Sequence, residues 1–324
     1  MEDTMKAIHV HEFGPPENML LEDLQDPVPG PGEVVVRIHA VGVNPVDVYI
    51  RSGDFFPRPG LPYIPGMDAA GVVESIGEGV KRVAVGERVY VGRTLSGSYA
   101  EKALCRDTQV YRLPNRLSFK EGAGIGVAYA AAYHGLFNRA LAKEGETILV
   151  HGADGGVGIA AVQLARSAGL KIFGTCGSER GEQLVKEQGA HYVFNHHSPE
   201  HFREILDATE GHGVDVILEM LANVNLGKDL PILAQNGRVV VIGSRGSVEI
   251  NPRDIMSRNG SILGMVLLKS SDDELLNIHN NLEAGLEKGT LTPVIGREFP
   301  ISEASRSHHE IIESLSYGKI ILIP

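Results

Sequence analysis

The chain contains no tryptophan and only two cysteines, Cys105 and Cys176, in 324 residues. Two thiols cannot build a disulfide framework or a four-cysteine zinc lobe. Long apolar runs are missing as well, since none approaches the roughly 18 residues of a membrane-spanning helix. The opening MEDTMKAIHV carries acidic residues where a secretory signal needs a basic end and an apolar stretch. Basic charge is in deficit: 30 Lys and Arg against 41 Asp and Glu give a formal charge of −11. That balance weighs against general affinity for nucleic acid, because phosphate neutralisation needs a concentrated basic surface. No fixed-period repeat and no low-complexity tract breaks the pattern. A soluble, cytoplasmic globular chain is the expectation.

Glycine, by contrast, is plentiful at 39 residues, and it supplies tight turns and close backbone approaches. The length favours two domains, and the rhythm of the chain divides it. Residues 1–128 read as short β-branched runs (KAIHV, EVVVRIHAVGV, AAGVVESIGEGV, GERVYVG) separated by Gly and Pro clusters. Residues 129–268 alternate strand and helix. The strands are ETILVHG, KIFGTC, YVFN, VDVILEM, RVVVIGS and SILGMVLL. The helical segments between them include one closed by Gly169, GEQLVKEQGA, FREILDATEG and KDLPILAQNG. This β-α succession implies α/β architecture with a doubly wound parallel sheet of the Rossmann kind. Residues 269–324 begin with the helix DDELLNIHNNLEAGLEKG and continue as an extended link, LTPVIGREFP. A second helix from about Ser302 sets Ala304, His308, Ile311, Ile312 and Leu315 at helical spacing, and KIILIP closes the chain as a strand. This tail is expected to return to the first domain, with His308 and His309 at the surface or the edge of its core.

The loop from Gly152 to Gly158 (GADGGVG) lies between a strand and a helix. That arrangement aims free backbone N–H groups and a helix dipole at a pyrophosphate. Ala153, Asp154, Gly155, Gly156, Val157 and Gly158 are therefore the candidate diphosphate-binding residues, although the spacing is not the strict G-x-G-x-x-G. NAD-binding units usually present a carboxylate about 20 residues on, at the end of the second strand, to hold the ribose 2′-hydroxyl. Here that strand ends at Cys176. Ser178 and Arg180 follow and can hold a 2′-phosphate, with Glu179 between them, so NADPH is the expected cofactor. His196 and His197, after the third strand, either reach the adenosine end or form an ordinary exposed loop pair.

The segments GVNPVDVYIRSG, LPYIPGMDAAGVVESIG, VHGADGGVG with Gln163 and Arg166 beyond it, EMLANVNL, VIGSRG and INPRD are spread along the chain. Through them it resembles the medium-chain dehydrogenase/reductase superfamily, and within it the zeta-crystallin-like quinone oxidoreductases. The resemblance implies a GroES-like, β-rich catalytic domain built from 1–128 and 269–324, a Rossmann domain over 129–268, and an active-site cleft at their junction. It implies NADPH as reductant, a small quinone as acceptor, and no metal. Where zinc-dependent relatives carry a cysteine ligand this chain has Asn44, and in place of their Gly-His-Glu segment it has Gly66-Met67-Asp68.

By the same resemblance, Asn44, Asp47 and Tyr49 line the nicotinamide end. Asn44 would bond the ribose or the substrate oxygen, and Tyr49 would orient a quinone oxygen or pass it a proton. Asp47 and Tyr49 equally suit a structural role in the turn VNPVDVY. Phe55, Tyr63 and Met67 are expected to pack against substrate. Gly243, Ser244 and Val266 are expected at the nicotinamide, with a plain surface turn as the other reading of Ser244-Arg245-Gly246. Relatives commonly pair Rossmann sheets edge to edge, so a homodimer or tetramer through SILGMVLL is expected.

Three positions depart from the family pattern: Asp154 stands where Ser or Ala is usual, Ala131 where threonine is frequent, and Phe55 where tyrosine is frequent. A carboxylate about 4 Å from a phosphate charge costs roughly 1 kcal/mol in water and several at intermediate dielectric. Two arrangements would relieve Asp154: capping the helix that follows, or facing solvent. Other functions fit the same pattern. One is NADPH-dependent reduction of α,β-unsaturated carbonyls. Another is a non-enzymatic NADPH-binding, crystallin-like or AU-rich mRNA-binding role, the last disfavoured by charge.

Overall fold

The computed structural model describes residues 3–313 and 317–324; the expected helical position Leu315 lies outside them. The chain divides into two compact units, Met1–Ala128 with Ser271–Pro324, and Tyr129–Ser270.

The first unit is built from β1 (Thr4–Val10), β2 (Met19–Gln25), β3 (Glu33–Val43), β4 (Asp68–Ile76), β5 (Arg88–Gly92), β6 (Lys102–Arg106) and β7 (Val110–Arg112). Strands β1 and β2 form an antiparallel hairpin. The long strand β3 pairs with β4 and β6 and carries the Val-rich run that fills the core with Val34, Val36, Val41 and Val43. The chain returns to this unit near its end. Helix Asp272–Lys288 starts on a capping box: Ser271 Oγ accepts the Glu274 N–H at 3.2 Å, and the Glu274 carboxylate accepts the Ser271 N–H at 2.8 Å. Leu275, Ile278, Leu282 and Leu286 form its buried stripe. Then come β14 (Ile295–Pro300), helix Ala304–Glu313 and β15 (Lys319–Ile323). Strand β15 pairs antiparallel with β3, matching Ile320 to Val43. That register carries Lys319 to the end of β3.

Two expectations are corrected here. LTPVIGREFP is not a bare link, because its second half is β14, which pairs in parallel with β15. Only Phe299 within it is buried, so the run shows no alternation to read. His308 is a core residue, 1% exposed, with its Nε2 3.0 Å from the Tyr99 hydroxyl. His309 does lie on the surface, between Glu17 and Glu313.

The second unit holds β8 (Thr147–Val150), β9 (Lys171–Cys176), β10 (Tyr192–Asn195), β11 (Val214–Glu219), β12 (Leu233–Val241) and β13 (Ser261–Gly264). They form one parallel sheet in the order β10-β9-β8-β11-β12-β13. The strand order reverses between β8 and β11, the switch point at which open α/β sheets bind ligands beyond their carboxyl ends. Strand β8 is buried along its whole length, as a central parallel strand must be. The segment KDLPILAQNG differs from expectation. Its helix is the preceding Ala222–Asp229, a short 3-10 turn covers Leu230–Ile232, and β12 already begins at Leu233. Pro231, which cannot donate a backbone hydrogen bond, marks the change. In SILGMVLL only Ser261–Gly264 is strand, and it forms the free edge of the sheet.

Candidate active site

In the second unit the chain leaves β8 at Val150, turns through His151–Asp154, and enters helix Gly156–Ser167. Gly155 is the N-cap, with no side-chain cap bond. Helix geometry leaves the first-turn amides without intrahelical partners, so the turn presents N–H groups and a positive dipole end to an anion. The helix packs directly on the loop at Gly158, where a Cβ would fall 2.3 Å from the Gly152 carbonyl oxygen. Ala153 is buried and its N–H donates to the Thr175 carbonyl at 2.8 Å, which fastens the loop to β9. These residues fit a dinucleotide diphosphate.

Asp154 follows neither of its expected courses. It makes no cap on its own helix and it is half-buried. Its carboxylate turns toward the neighbouring helix Glu179–Gln188, where a Cβ on Gly181 would meet Asp154 Oδ2 at 2.4 Å and Ser178 Oγ at 3.2 Å. The missing side chain of Gly181 opens the space, and the first turn of that helix is a favourable place for negative charge. Burial pushes the Asp154 pKa up from the usual carboxylate value. The end of β9 carries no carboxylate of its own, yet one stands beside it.

Ser178 caps helix Glu179–Gln188, its Oγ accepting the Gly181 N–H at 3.0 Å. Arg180 is exposed in the first turn of the same helix. The rings of His196 and His197, both exposed, converge on Gly177. Their Nε2 atoms lie 2.7 and 2.8 Å from the place a Cβ there would occupy. Asp154, Ser178, His196 and His197 thus gather around the turn that follows β9.

At the ends of β12 and β13 an open recess of about 440 Å³ is lined by residues including Ile242, Gly243, Ser244, Met265, Val266 and Lys269. Gly243, Ser244 and Val266, separated in sequence, come together there. Ser244 also belongs to a turn, its Oγ donating to the Gly246 carbonyl at 2.9 Å.

Beneath these loops lies a buried cluster that no spacing announced. His151 Nε2 is 2.8 Å from Asp229 Oδ1 and 3.5 Å from Glu219 Oε2, and its Nδ1 is 3.2 Å from Thr175 Oγ1. Glu219 Oε1 accepts the Leu221 N–H and, at 3.3 Å, the Asn225 amide. Burial pushes both carboxyl groups up to about 7 and lowers the His151 pKa. The cluster ties together the chain segments that leave β8 and β11.

In the first unit Asn44 ends β3 and caps helix Pro45–Ser52, where Asp47 Oδ2 accepts the Asn44 N–H at 2.8 Å. The Asn44 amide is already engaged: its Nδ2 donates to Asp68 Oδ2 at 3.0 Å and its Oδ1 accepts from Lys319 Nζ at 2.5 Å. Lys319 also pairs with Asp68 at 3.0 Å, and Asp68 Oδ1 accepts the Val127 N–H at 2.8 Å. All three side chains are buried. This places Asn44 in an internal network.

Asp47 is 1% exposed, and burial pushes its pKa up to about 7. Tyr49, Phe55 and Met67 are half-buried. Tyr63 packs against the core with its hydroxyl buried, and its backbone bridges Val10. Ala131 is buried at 4% exposure.

Residues 30–134 match the alcohol dehydrogenase GroES-like domain, and residues 156–279 match the zinc-binding dehydrogenase domain. The chain is 48% identical to the quinone oxidoreductase of Homo sapiens over 321 residues, covering 98% of each. It is 31% identical to the quinone oxidoreductase of Pseudomonas aeruginosa, covering 98% of this chain and 99% of that one. The chain belongs to the quinone oxidoreductase family. It is therefore an NAD(P)H oxidoreductase of the medium-chain dehydrogenase/reductase superfamily. A mycobacterial protein solved with NADPH has the same fold, with a TM-score of 0.90 at 27% identity over 99% of this chain and 100% of that one. The enoyl reductase CurK matches with a TM-score of 0.90 at 26% identity over 99% of both chains.

The second matched domain is that of zinc-binding dehydrogenases, but the residues of this family member do not suit a catalytic zinc. Asn44 and Met67 replace the Cys and His donors that zinc prefers. The remaining carboxylate, Asp68, already holds an ammonium ion in Lys319. A buried cation occupies the position electrostatically.

Proposed function

We propose that the chain reduces small ortho- and para-quinones with NADPH, independently of zinc. The observation that carries this reading is the uncapped glycine turn at the switch point of the parallel sheet, in a chain 48% identical to a quinone oxidoreductase. When bound, NADPH supplies a hydride from its nicotinamide. The first-turn amides of helix Gly156–Ser167 hold the diphosphate. Ser178, Arg180, His196 and His197 hold the phosphorylated ribose, the guanidinium through charge-assisted bonds. Gly243, Ser244 and Val266 receive the nicotinamide. Phe55 and Met67 offer apolar surface to the ring of the acceptor, and Tyr49 passes a proton to its oxygen. Hydride and proton together convert quinone to hydroquinone, and the aromaticity gained removes the need for a Lewis acid. Chemistry of this kind asks the protein for orientation and exclusion of water.

NADPH oxidation in the presence of a small ortho-quinone tests the reading, with NADH and an enone run in parallel. Faster turnover of the quinone than of the enone, with NADPH ahead of NADH, is the expected result. Preferential turnover of the enone would move the chain to enoyl reduction, the activity named for CurK. Saturable NADPH binding without turnover of either acceptor would make it a binding protein.

The same reading includes self-association in the cytoplasm. The edge strand β13 leaves one row of backbone groups unpaired by its own sheet and exposes Ile262, and such edges favour pairing with a second copy.

A further inference from the structure

The N-terminal hairpin carries a cluster that the reductase chemistry does not use. His9 lies on β1 and His11 just beyond it, and the two-residue spacing sends both imidazoles to one face. Glu22 lies on the paired strand β2, opposite Ala7 of that same face. The Glu22 carboxylate takes one imidazole on each oxygen, with His9 Nδ1 2.8 Å from Oε2 and His11 Nε2 2.9 Å from Oε1. The two rings stand edge to face with centroids 4.6 Å apart. One ligand atom from each residue falls within 4.8 Å of the others.

We propose that His9, His11 and Glu22 form a binding site for one borderline divalent cation, of the Zn²⁺, Cu²⁺ or Ni²⁺ class. Two imidazole nitrogens and one carboxylate oxygen make an open three-donor set of the His₂Glu kind, leaving a fourth position for water. Imidazole donors favour these ions over Mg²⁺ and Ca²⁺, which prefer all-oxygen shells. Solvent reaches the site, since the His11 side chain is 50% exposed and Glu22 32%.

Other histidine clusters compare poorly. His151, Glu219 and Asp229 also place three donors together, but they are buried, out of reach of a cation arriving from solvent. His309 contacts Glu17 and Glu313 with a single imidazole. The hairpin donors are also different residues from Asn44 and Met67, which stand where zinc-dependent relatives carry ligands.

Zn²⁺ titration of the chelator-treated full chain by calorimetry tests the proposal, with Mg²⁺ as the control ion. The expected result is one equivalent of Zn²⁺ and no Mg²⁺ binding. Affinity should fall at least about tenfold in His9→Asn and in His11→Asn and disappear in the double variant, while His309→Asn binds as wild type does. NADPH oxidation and thermal midpoint of the metal-free variants should match the wild type, which separates loss of the site from loss of the fold and from failure of the reductase reading. Loaded with Cu²⁺, the wild type should show electron paramagnetic resonance couplings from two imidazoles. Wild-type Zn²⁺ affinity in the double variant, equal loss in His309→Asn, or no Zn²⁺ bound by the wild type would each overturn the assignment.

Discussion

Each unit buries a charged cluster at the end of a central strand, and the two balance their charge differently. In the first unit Asp68 meets one permanent cation, Lys319, and both share the Asn44 amide. In the second, Glu219 and Asp229 share a single imidazole, His151. Asp68 against one ammonium is complete as it stands, with the neighbouring Asp47 carboxyl, pushed up to about 7 by burial, outside that pair. Two carboxyl groups against one imidazole are not, and burial pushes both carboxyl pKa values up to about 7, toward keeping a proton. The first cluster is a fixed lock, and the second is a lock with a proton in it.

The largest effect expected from this contrast comes from breaking the fixed lock. Lys319→Met keeps the volume of the stem and removes the ammonium, leaving Asp68 buried without a counter-charge. Breaking a buried pair from one side costs about 3–5 kcal/mol, and chemical denaturation should show a loss of that order. A loss under about 1 kcal/mol would mean that the pair adds little and that the contrast between the clusters is empty.

The second cluster should reveal itself through pH. Glu219 and Asp229 have folded pKa values near 7, above the ordinary 4.5 and 3.8. A carboxyl raised by folding binds its proton more tightly in the native state. Its stabilisation is complete below the unfolded pKa and is lost as pH rises through about 7. The His151 pKa is lowered by burial, so its contribution runs the other way below about 6.5. Glu219→Gln removes one carboxyl of the pair while its amide oxygen can still accept the Leu221 N–H. Relative to wild type, the variant should gain stability between pH 5 and pH 8, by about 1–3 kcal/mol. Thermal midpoints of the two proteins across that range check it, and parallel curves would remove the proton kept by the raised carboxyl pKa.

The difference between what was legible in the sequence and what was not follows sequence distance. The β8–glycine–helix turn is contiguous, so its anion cradle can be read from the order of residues alone. So can the parallel sheet, because strand and helix alternate audibly along 129–268. Lys319 lies 275 positions from Asn44, and only the pairing of β15 with β3 brings them together. His308 is buried because Tyr99, on a distant segment, faces it. β14 is a strand only because β15 lies alongside. The segment EMLANVNL was recognisable as a family signature, yet nothing in it says that Glu219 closes on His151 together with Asp229. Likewise, the missing carboxylate at Cys176 was read along one strand, while Asp154 reaches the place from the neighbouring loop.

Asp154 supplies the smallest of these effects and the most direct link to cofactor choice. It belongs to the second unit, and burial raises its pKa as it does those of Glu219 and Asp229. Its carboxylate stands beside the first turn of helix Glu179–Gln188, next to Ser178, the turn assigned above to the phosphorylated ribose of NADPH. There it repels a 2′-phosphate and can accept a hydrogen bond from a free 2′-hydroxyl. Asp154→Ser should therefore raise the NADPH-over-NADH ratio of kcat/KM by about tenfold, equivalent to about 1.4 kcal/mol and within the range for such a charge pair in a partly hydrated site. Protonation should imitate the substitution, so the wild-type ratio should fall as pH rises through the raised pKa of Asp154, while the variant's ratio loses that component. An unchanged ratio in Asp154→Ser, at every pH, would show that the carboxylate points away from the ribose when the cofactor is bound.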